Sequence, residues 1–306
     1  MTGLIERDGR VAGVRAGDRD FGARLVVGAD GRGSTVAKLV GARSYHTLPN
    51  QRFACWAYFE GAAWTPPAAA VLYRQDDHFV FGMPTDSALY LAAVVPGLGH
   101  LPAFRADPEA RFAAHVAVSE PVAAIIGGAK RSGRLHFLSD YPMYFRESAG
   151  PGWVLVGDAG HFKDPAGAQG ISDALRQAER LASAILESSE KALRRWADWR
   201  DRDAIEVHWF ASDLGAEGRM SPVAIEMFKH LGATQAGRRE FIDLLNHRRQ
   251  PSQVLTPSRL VGASTRLLRR NQLPRRLVLA ETGRLVRTDL GRRWRGRYPH
   301  YQAAEL

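Results

Sequence analysis

The residues best placed to do chemistry lie in one stretch, "WVLVGDAGHFKDPAGAQGISDALRQAERLA", running from Trp153 to Ala182. Four apolar residues end on Gly157-Asp158, a polar loop follows, and a helical pattern starts near Gly170. A carboxylate at the end of a buried strand accepts hydrogen bonds and donates none, so a sugar hydroxyl is its natural partner. Glycines let the backbone pass close to a bulky ligand. A helix beginning at Gly170 turns free N–H groups and a partial positive charge toward the same place, which favours a phosphate or an electron-rich carbonyl. A bare Gly-Asp is more often a plain turn. The weight here comes from order: Gly157, Asp158, His161, Pro165, Gly167, Gln169 and Gly170, then an amphipathic helix. That series has the parts to hold a nucleotide-like cofactor.

A second stretch repeats the theme. In "LVVGADGRGSTVAKLVGA" a short Leu25–Val27 strand runs into Gly28-Ala29-Asp30-Gly31. Taken together, the two stretches resemble the Asp-Gly motif and the second FAD motif of the flavin-dependent aromatic hydroxylases, the para-hydroxybenzoate hydroxylase superfamily. Their order and the β-rich insert between them also match. The "KDP…AQGISDA" version is similar to a geranylgeranyl-reductase-like subgroup. The resemblance covers about residues 3–265 and implies that Asp30 and Gly31 lie near the flavin and nicotinamide pyrophosphates. It places Asp158 at the ribityl and pyrophosphate part of FAD, and the Pro165-to-Gly170 loop against the isoalloxazine ring. It makes His161 a positioning residue and leaves the catalytic residues unknown.

The implied fold class is α/β: an incomplete, Rossmann-like FAD-binding domain, an inserted mostly antiparallel β-sheet substrate domain, and a helical C-terminal region. The implied function is an FAD-dependent monooxygenase that hydroxylates a small organic substrate through a flavin hydroperoxide, with NADPH or NADH as electron donor. Alternatives are a reductase of an isoprenoid-type alkene and a non-catalytic remnant of the fold. Flavin halogenases share the scaffold, but their Trp-x-Trp-x-Ile-Pro pattern and activating lysine are not evident. The family's βαβ unit with GxGxxG, which grips the adenylate half of FAD, is also not found. The expectation is therefore a missing N-terminal segment of about 100 residues, and weak flavin binding by this chain.

These residues need elements to position them. Asp8-Gly9 between apolar runs predicts a hairpin. Residues 34–40 read as helical turns. "RFACWAYFEG", "AAVLYRQ", "HFVFGMP" and "ALYLAAVVP" predict an antiparallel sheet. Residues 106–126 read as helix, and "GRLHFLSDYPMYF" as one or two strands. Apolar residues at Ile171, Ala174, Leu175, Ala178, Leu181, Ala182 and Ile185 recur with a helical period, which predicts a buried face. Ser221-Pro222 and Thr256-Pro257 look like helix starts. The predicted segments are 1–48 and 149–190 for the cofactor domain, 49–148 for the β-rich substrate domain, and 191–306 for the helical region with its Arg-rich tail.

The remaining features bound the function. Cys55 is the only cysteine, so no internal disulfide forms, and no stretch has the length of a membrane span. A cytoplasmic protein with a small-molecule substrate is the expectation. Net charge is +10, and residues 259–297 carry twelve arginines and no lysine. No nucleic-acid-binding pattern accompanies them, so a solvated helical tail is favoured over nucleic acid. Asp76-Asp77-His78 reads as a hairpin turn, and no metal is assigned. Ser34 and Ser172 lie near glycines without a G-x-S-x-G elbow. Trp56, Tyr58 and Phe59 give one side of the predicted sheet an aromatic character.

Overall fold

The computed structural model describes residues 1–64 and 70–295. Two units are present: Met1–Pro49 with Pro142–Leu214 and Ser221–Leu306, and Asn50–Tyr141 with Gly215–Met220. The first unit opens with β1 (Gly3–Arg7) and β2 (Arg10–Ala16), an antiparallel hairpin. Its turn residues Asp8 and Gly9 both take positive φ, the backbone that matches a two-residue hairpin to strand twist. β3 (Arg19–Gly22) extends this sheet. β4 (Val26–Gly28), α1 (Thr35–Leu39) and β5 (Ser44–Leu48) follow.

The second unit holds β6 (Ala54–Glu60), β7 (Val71–Gln75), β8 (His78–Pro84), β9 (Tyr90–Val94), α2 (Leu101–Ala106), α3 (Pro108–Ala117), α4 (Glu120–Ile126) and β10 (Lys130–Leu138). Its five strands form an antiparallel sheet in the order β10-β6-β9-β8-β7. Strand alternation sorts β6: Cys55, Ala57 and Phe59 are buried in one core with Phe104, Phe112, Val116 and Val122 of the helices. Trp56 and Tyr58 point to the other face, where Trp56 stacks on His136. The aromatic side is thus Trp56 and Tyr58, while Phe59 belongs to the core. Arg52 is fully buried. It pairs with Asp77 and donates to Val95 O (2.9 Å) and Ala216 O (3.0 Å). Those bonds place 215–220 in this unit, which the sequence had assigned to the helical region.

The chain then returns to the first unit with β11 (Met143–Arg146), β12 (Ala149–Gly150), β13 (Trp153–Leu155) and β14 (His161–Phe162). β11 pairs with both β14 and β5, so residues 142–148 belong here and not with the β-rich segment predicted to include them. β13 pairs parallel with β4: Trp153 with Val26, Val154 with Val27, Leu155 with Gly28. The helical part comprises α5 (Gly170–Leu186), α6 (Glu190–Gly215), α7 (Pro222–Gly232), α8 (Gln235–Leu245), α9 (Pro251–Val254), α10 (Pro257–Arg270) and α11 (Arg275–Arg295). Thr256 caps α10 by accepting from Arg259 N, while Ser221 precedes Pro222 without a side-chain cap bond. The end of the Arg-rich tail, 296–306, lies outside the described residues.

α5 departs from its predicted face. Its buried residues are Asp173, Gln177, Leu181 and Ala184, whereas Ile171 is 80% and Leu175 68% exposed. The buried face is held by polar bonds. Gln177 Oε1 accepts from Gly157 N (3.0 Å), and Asp173 pairs with Lys163. These bonds orient α5 on the turn that precedes it, and Ile171 and Leu175 of its first two turns face outward.

Candidate functional site

Parallel pairing of β4 and β13 brings the two Gly/Asp turns to one sheet edge. Leu155 is level with Gly28, so Asp158 and Asp30 follow the ends of adjacent strands. Two side chains of β11 tie the turns together. Tyr144 Oη donates to Asp158 O (2.7 Å) and lies 3.2 Å from Arg32 O. Arg146 Nη1 donates to Ala159 O (3.0 Å) and Arg32 O (3.3 Å), and its guanidinium stacks over the Tyr144 ring at 4.0 Å. Neither residue stands out in the sequence, because each acts on carbonyls of segments far from it in the chain.

The Asp30 carboxylate works on its own turn. It accepts from Thr35 N (2.6 Å) and Val36 N (3.2 Å), opening α1. Partial burial would push its pKa up, but bonds from Ser34, Val36 and Thr35 outweigh that and hold it below the usual carboxylate range. Gly31 takes φ +75°, a conformation that favours glycine.

Asp158 is different. It is half-buried, and among the described residues nothing donates a hydrogen bond to its carboxylate. Burial pushes its pKa up, opposed by the charges of Arg32 and Lys163. Its Oδ1 stands 4.0 Å from where a Cβ on Gly170 would lie, at the start of α5. No side chain caps that helix start. A half-buried acceptor without a donor, beside an uncapped helix N-terminus, suits a ligand with hydroxyl donors next to a negative or electron-rich group. These residues fit the ribityl and adjoining parts of FAD. Gly157 takes φ +62°, and a Cβ there would meet Ala174 at 3.3 Å, so α5 closes directly onto the turn.

The loop between them is braced from beneath. Asp164 Oδ1 accepts from Ala166 N (2.9 Å), and Gln169 Nε2 donates to Leu244 O (3.1 Å) and Leu245 O (3.0 Å). Pro165, Ala168 and Gly170 are exposed, while Gly167 and Gln169 are buried. Below the loop, Lys163 and Asp173 form a buried ion pair. His247 Nε2 lies 2.8 Å from Asp173 Oδ1 without hydrogen-bond alignment. Burial pushes Lys163 down to about 7, despite the nearby Asp158. Burial likewise lowers His247 to about 4.

His161 sits in the core. Its ring is 4.2 Å from Phe145 and 5.5 Å from His208, and burial holds its pKa well below the usual histidine value. The side chain therefore lies under the turn, unlike the other predicted site residues. Thus Gly157, Asp158 and Gly170 share one place, Asp30 and Gly31 share the adjoining turn, Pro165 is exposed on the loop, and Gly167 and Gln169 support it. Asp77 of the Asp76-Asp77-His78 turn is engaged by Arg52 and by Gly218 N (2.7 Å). A cavity lined by Phe59, Phe112, Val116, Ile126 and Arg131 belongs wholly to the second unit and touches none of the Gly/Asp turn residues.

The chain is 26% identical over 196 residues to the 1H-pyrrole-2-carbonyl-[peptidyl-carrier protein] brominase of Pseudoalteromonas luteoviolacea (strain 2ta16). The match takes in 60% of this chain and 47% of the brominase, so the chain spans about half the length of this curated relative. The fold resembles that of the flavin-dependent brominase Bmp2, with TM-score 0.66, 21% identity, and 88% and 70% of the two chains covered. It also resembles the myxobacterial chondrochloren halogenase CndH, with TM-score 0.60, 19% identity, and 85% and 66% covered. Residues 6–207 match the FAD binding domain family, and the chain belongs to that family.

Proposed function

We propose that these residues hold the flavin end of FAD in an FAD-dependent oxidoreductase, and that the enzyme is a monooxygenase acting on a small organic substrate with NADPH or NADH as donor. The observation that carries this is the Asp158 carboxylate: half-buried, without a donor among the described residues, at the uncapped start of α5. Bound FAD would supply the redox centre that activates oxygen. The chain's own residues bind and orient. Asp158 accepts from ribityl hydroxyls. The first N–H groups of α5 face an electron-rich group. The exposed residues Pro165, Ala168 and Gly170 are small and offer a flat ring a surface to lie against. Tyr144 and Arg146 keep the Asp30 and Asp158 turns in one register. In the second unit, the Trp56 and Tyr58 face of the sheet is the proposed substrate side.

A second reading is halogenation, favoured by the identity to a brominase. The two readings separate on product mass. The protein is given excess FAD, NADPH or NADH, oxygen and a panel of electron-rich aromatics, with and without bromide. The monooxygenase reading expects products that gain one oxygen atom whether or not bromide is present. Bromide-dependent products carrying the paired isotope peaks of bromine support the second reading. Absence of both products, together with absence of flavin binding, would leave a non-catalytic member of the fold.

A further inference from the structure

α11 carries two apolar faces, and among the described residues only one has a partner. On the inner side Val278 is 1% exposed, Leu285 packs against the same core, and Thr282 Oγ1 bonds Ser264 Oγ of α10 at 2.7 Å. On the outer side Leu279 (61% exposed), Val286 (40%), Leu290 (60%) and Trp294 (68%) follow one another at spacings of seven, four and four residues. At about 100° per residue these four fall within an arc of about 80°, a line of apolar side chains roughly 22 Å long. The solvent side of a surface helix is normally polar. Here the polar residues flank the line instead, and they are arginines.

α11 has seven arginines against two acids, Glu281 and Asp289. Arg284 pairs with Glu281, Arg292 with Asp213, and Arg293 with Asp289. Arg275, Arg276 and Arg287 are exposed and make no ion pair among the described residues. On the helix circumference Arg275 lies to one side of the apolar line, Arg276 at its edge and Arg287 just beyond, so positive charge brackets the line.

We propose that the outer face of α11 is a docking surface for an anionic lipid interface. The apolar line would enter the headgroup boundary while the bracketing arginines reach lipid phosphates. Charge complementarity specifies an anionic partner, because the three unpaired cations have no internal counter-charge. Shape favours lipid. The line is one residue wide on a convex helix, so a folded protein would need a groove cut to match, whereas a lipid surface deforms around it. An indole at one end of the line suits the interface, where such rings concentrate. This is peripheral binding, since no described helix is long and apolar enough to cross a membrane. It does not depend on the flavin site.

The test is co-flotation of the purified protein with vesicles of phosphatidylcholine alone, and of equal parts phosphatidylcholine and phosphatidylglycerol. The expected result is binding to the anionic vesicles at least about tenfold tighter than to the neutral ones, weakening as salt rises. L290S/W294S should lose about tenfold or more on anionic vesicles. R276S/R287S should lose about fivefold per arginine on those vesicles. The substituted side chains are exposed, and thermal melts of both variants serve as the folding check. Equal binding to both vesicle types, no binding to either, or variants that bind like the parent would each overturn the proposal. So would a concentration-dependent dimer in light scattering that L290S/W294S abolishes, since a second copy would then cover the face. Polyanion retention without vesicle binding would point to nucleic acid and also overturn it.

Discussion

Burial draws Asp158 and Lys163 each toward its own neutral form, and the charge of each opposes that shift in the other. Burial raises the acid, and burial lowers the base to about 7. Lys163 and Asp173 lie almost wholly out of solvent, and removing one partner of a buried pair costs about 3–5 kcal/mol, because the other charge stays buried. Lys163→Met should therefore lower stability by about that amount in urea unfolding, and Lys163→Met with Asp173→Leu should recover much of it. A loss under about 0.5 kcal/mol for the single variant, typical of a neutral surface change, would show that the pair is not buried as described. The histidines make a second prediction. Burial lowers His208 to about 3, His247 to about 4, and His161 well below the usual value. The unfolded chain protonates them near its ordinary value of about 6.5. Below that pH the unfolded state holds more protons, so stability is full above about 6.5 and falls toward about pH 4, by about 1.4 kcal/mol per pH unit for each group. His208→Phe should shrink the drop in melting temperature between neutral and mildly acidic buffer. An unchanged drop would contradict this. The position of Asp158 was legible in the sequence because it is local, set by the strand before it and the helix after. Lys163, Tyr144 and Arg146 were not, because their partners are fixed by strand pairing and helix docking.

Among the elements, the parallel β4–β13 pair decides whether the two turns meet, and the turn before β13 is its weak point. Gly152 takes φ +77°, and a Cβ there would fall 2.0 Å from Val11 O, a backbone atom of β2. Pro151 O also accepts from Val11 N (3.0 Å), and Gly152 O from Val26 N (2.9 Å), so this turn ties β2 to β4 and β13. Gly152→Ala should cost about 2–4 kcal/mol, combining left-handed strain with overpacking. Equal urea midpoints for parent and variant would contradict the turn as described. The hairpin at Asp8-Gly9, four of the five strands of the second unit and the helix starts at Pro222 and Pro257 were readable from local signals. β5 and β14 were not, since β11 supplies the pairing of both and β5 lies about a hundred residues before it. The stripe on α5 misled for a related reason. Periodicity located the helix, but Gln177 and Asp173 choose its buried face by bonding to Gly157 and Lys163.

On the scale of the whole molecule, the first unit carries both Gly/Asp turns of the proposed flavin site together with the C-terminal helices. The family motif order was legible because both turns are contiguous. The unit boundary at 142 was not, because β11 continues the polypeptide from the second unit but pairs within the first. The central claim is that Asp158 and the start of α5 hold the flavin end of FAD, and equilibrium titration of the protein with FAD and with FMN, followed by flavin fluorescence, tests it most directly. The account predicts weak binding of both, with affinities within about tenfold of each other because the adenylate adds few contacts. It also predicts that Asp158→Ala weakens both by about 10- to 100-fold, the worth of a charge-assisted hydrogen bond. Asp158→Ala binding both flavins as tightly as the parent, or FAD bound tightly while FMN is ignored, would contradict it.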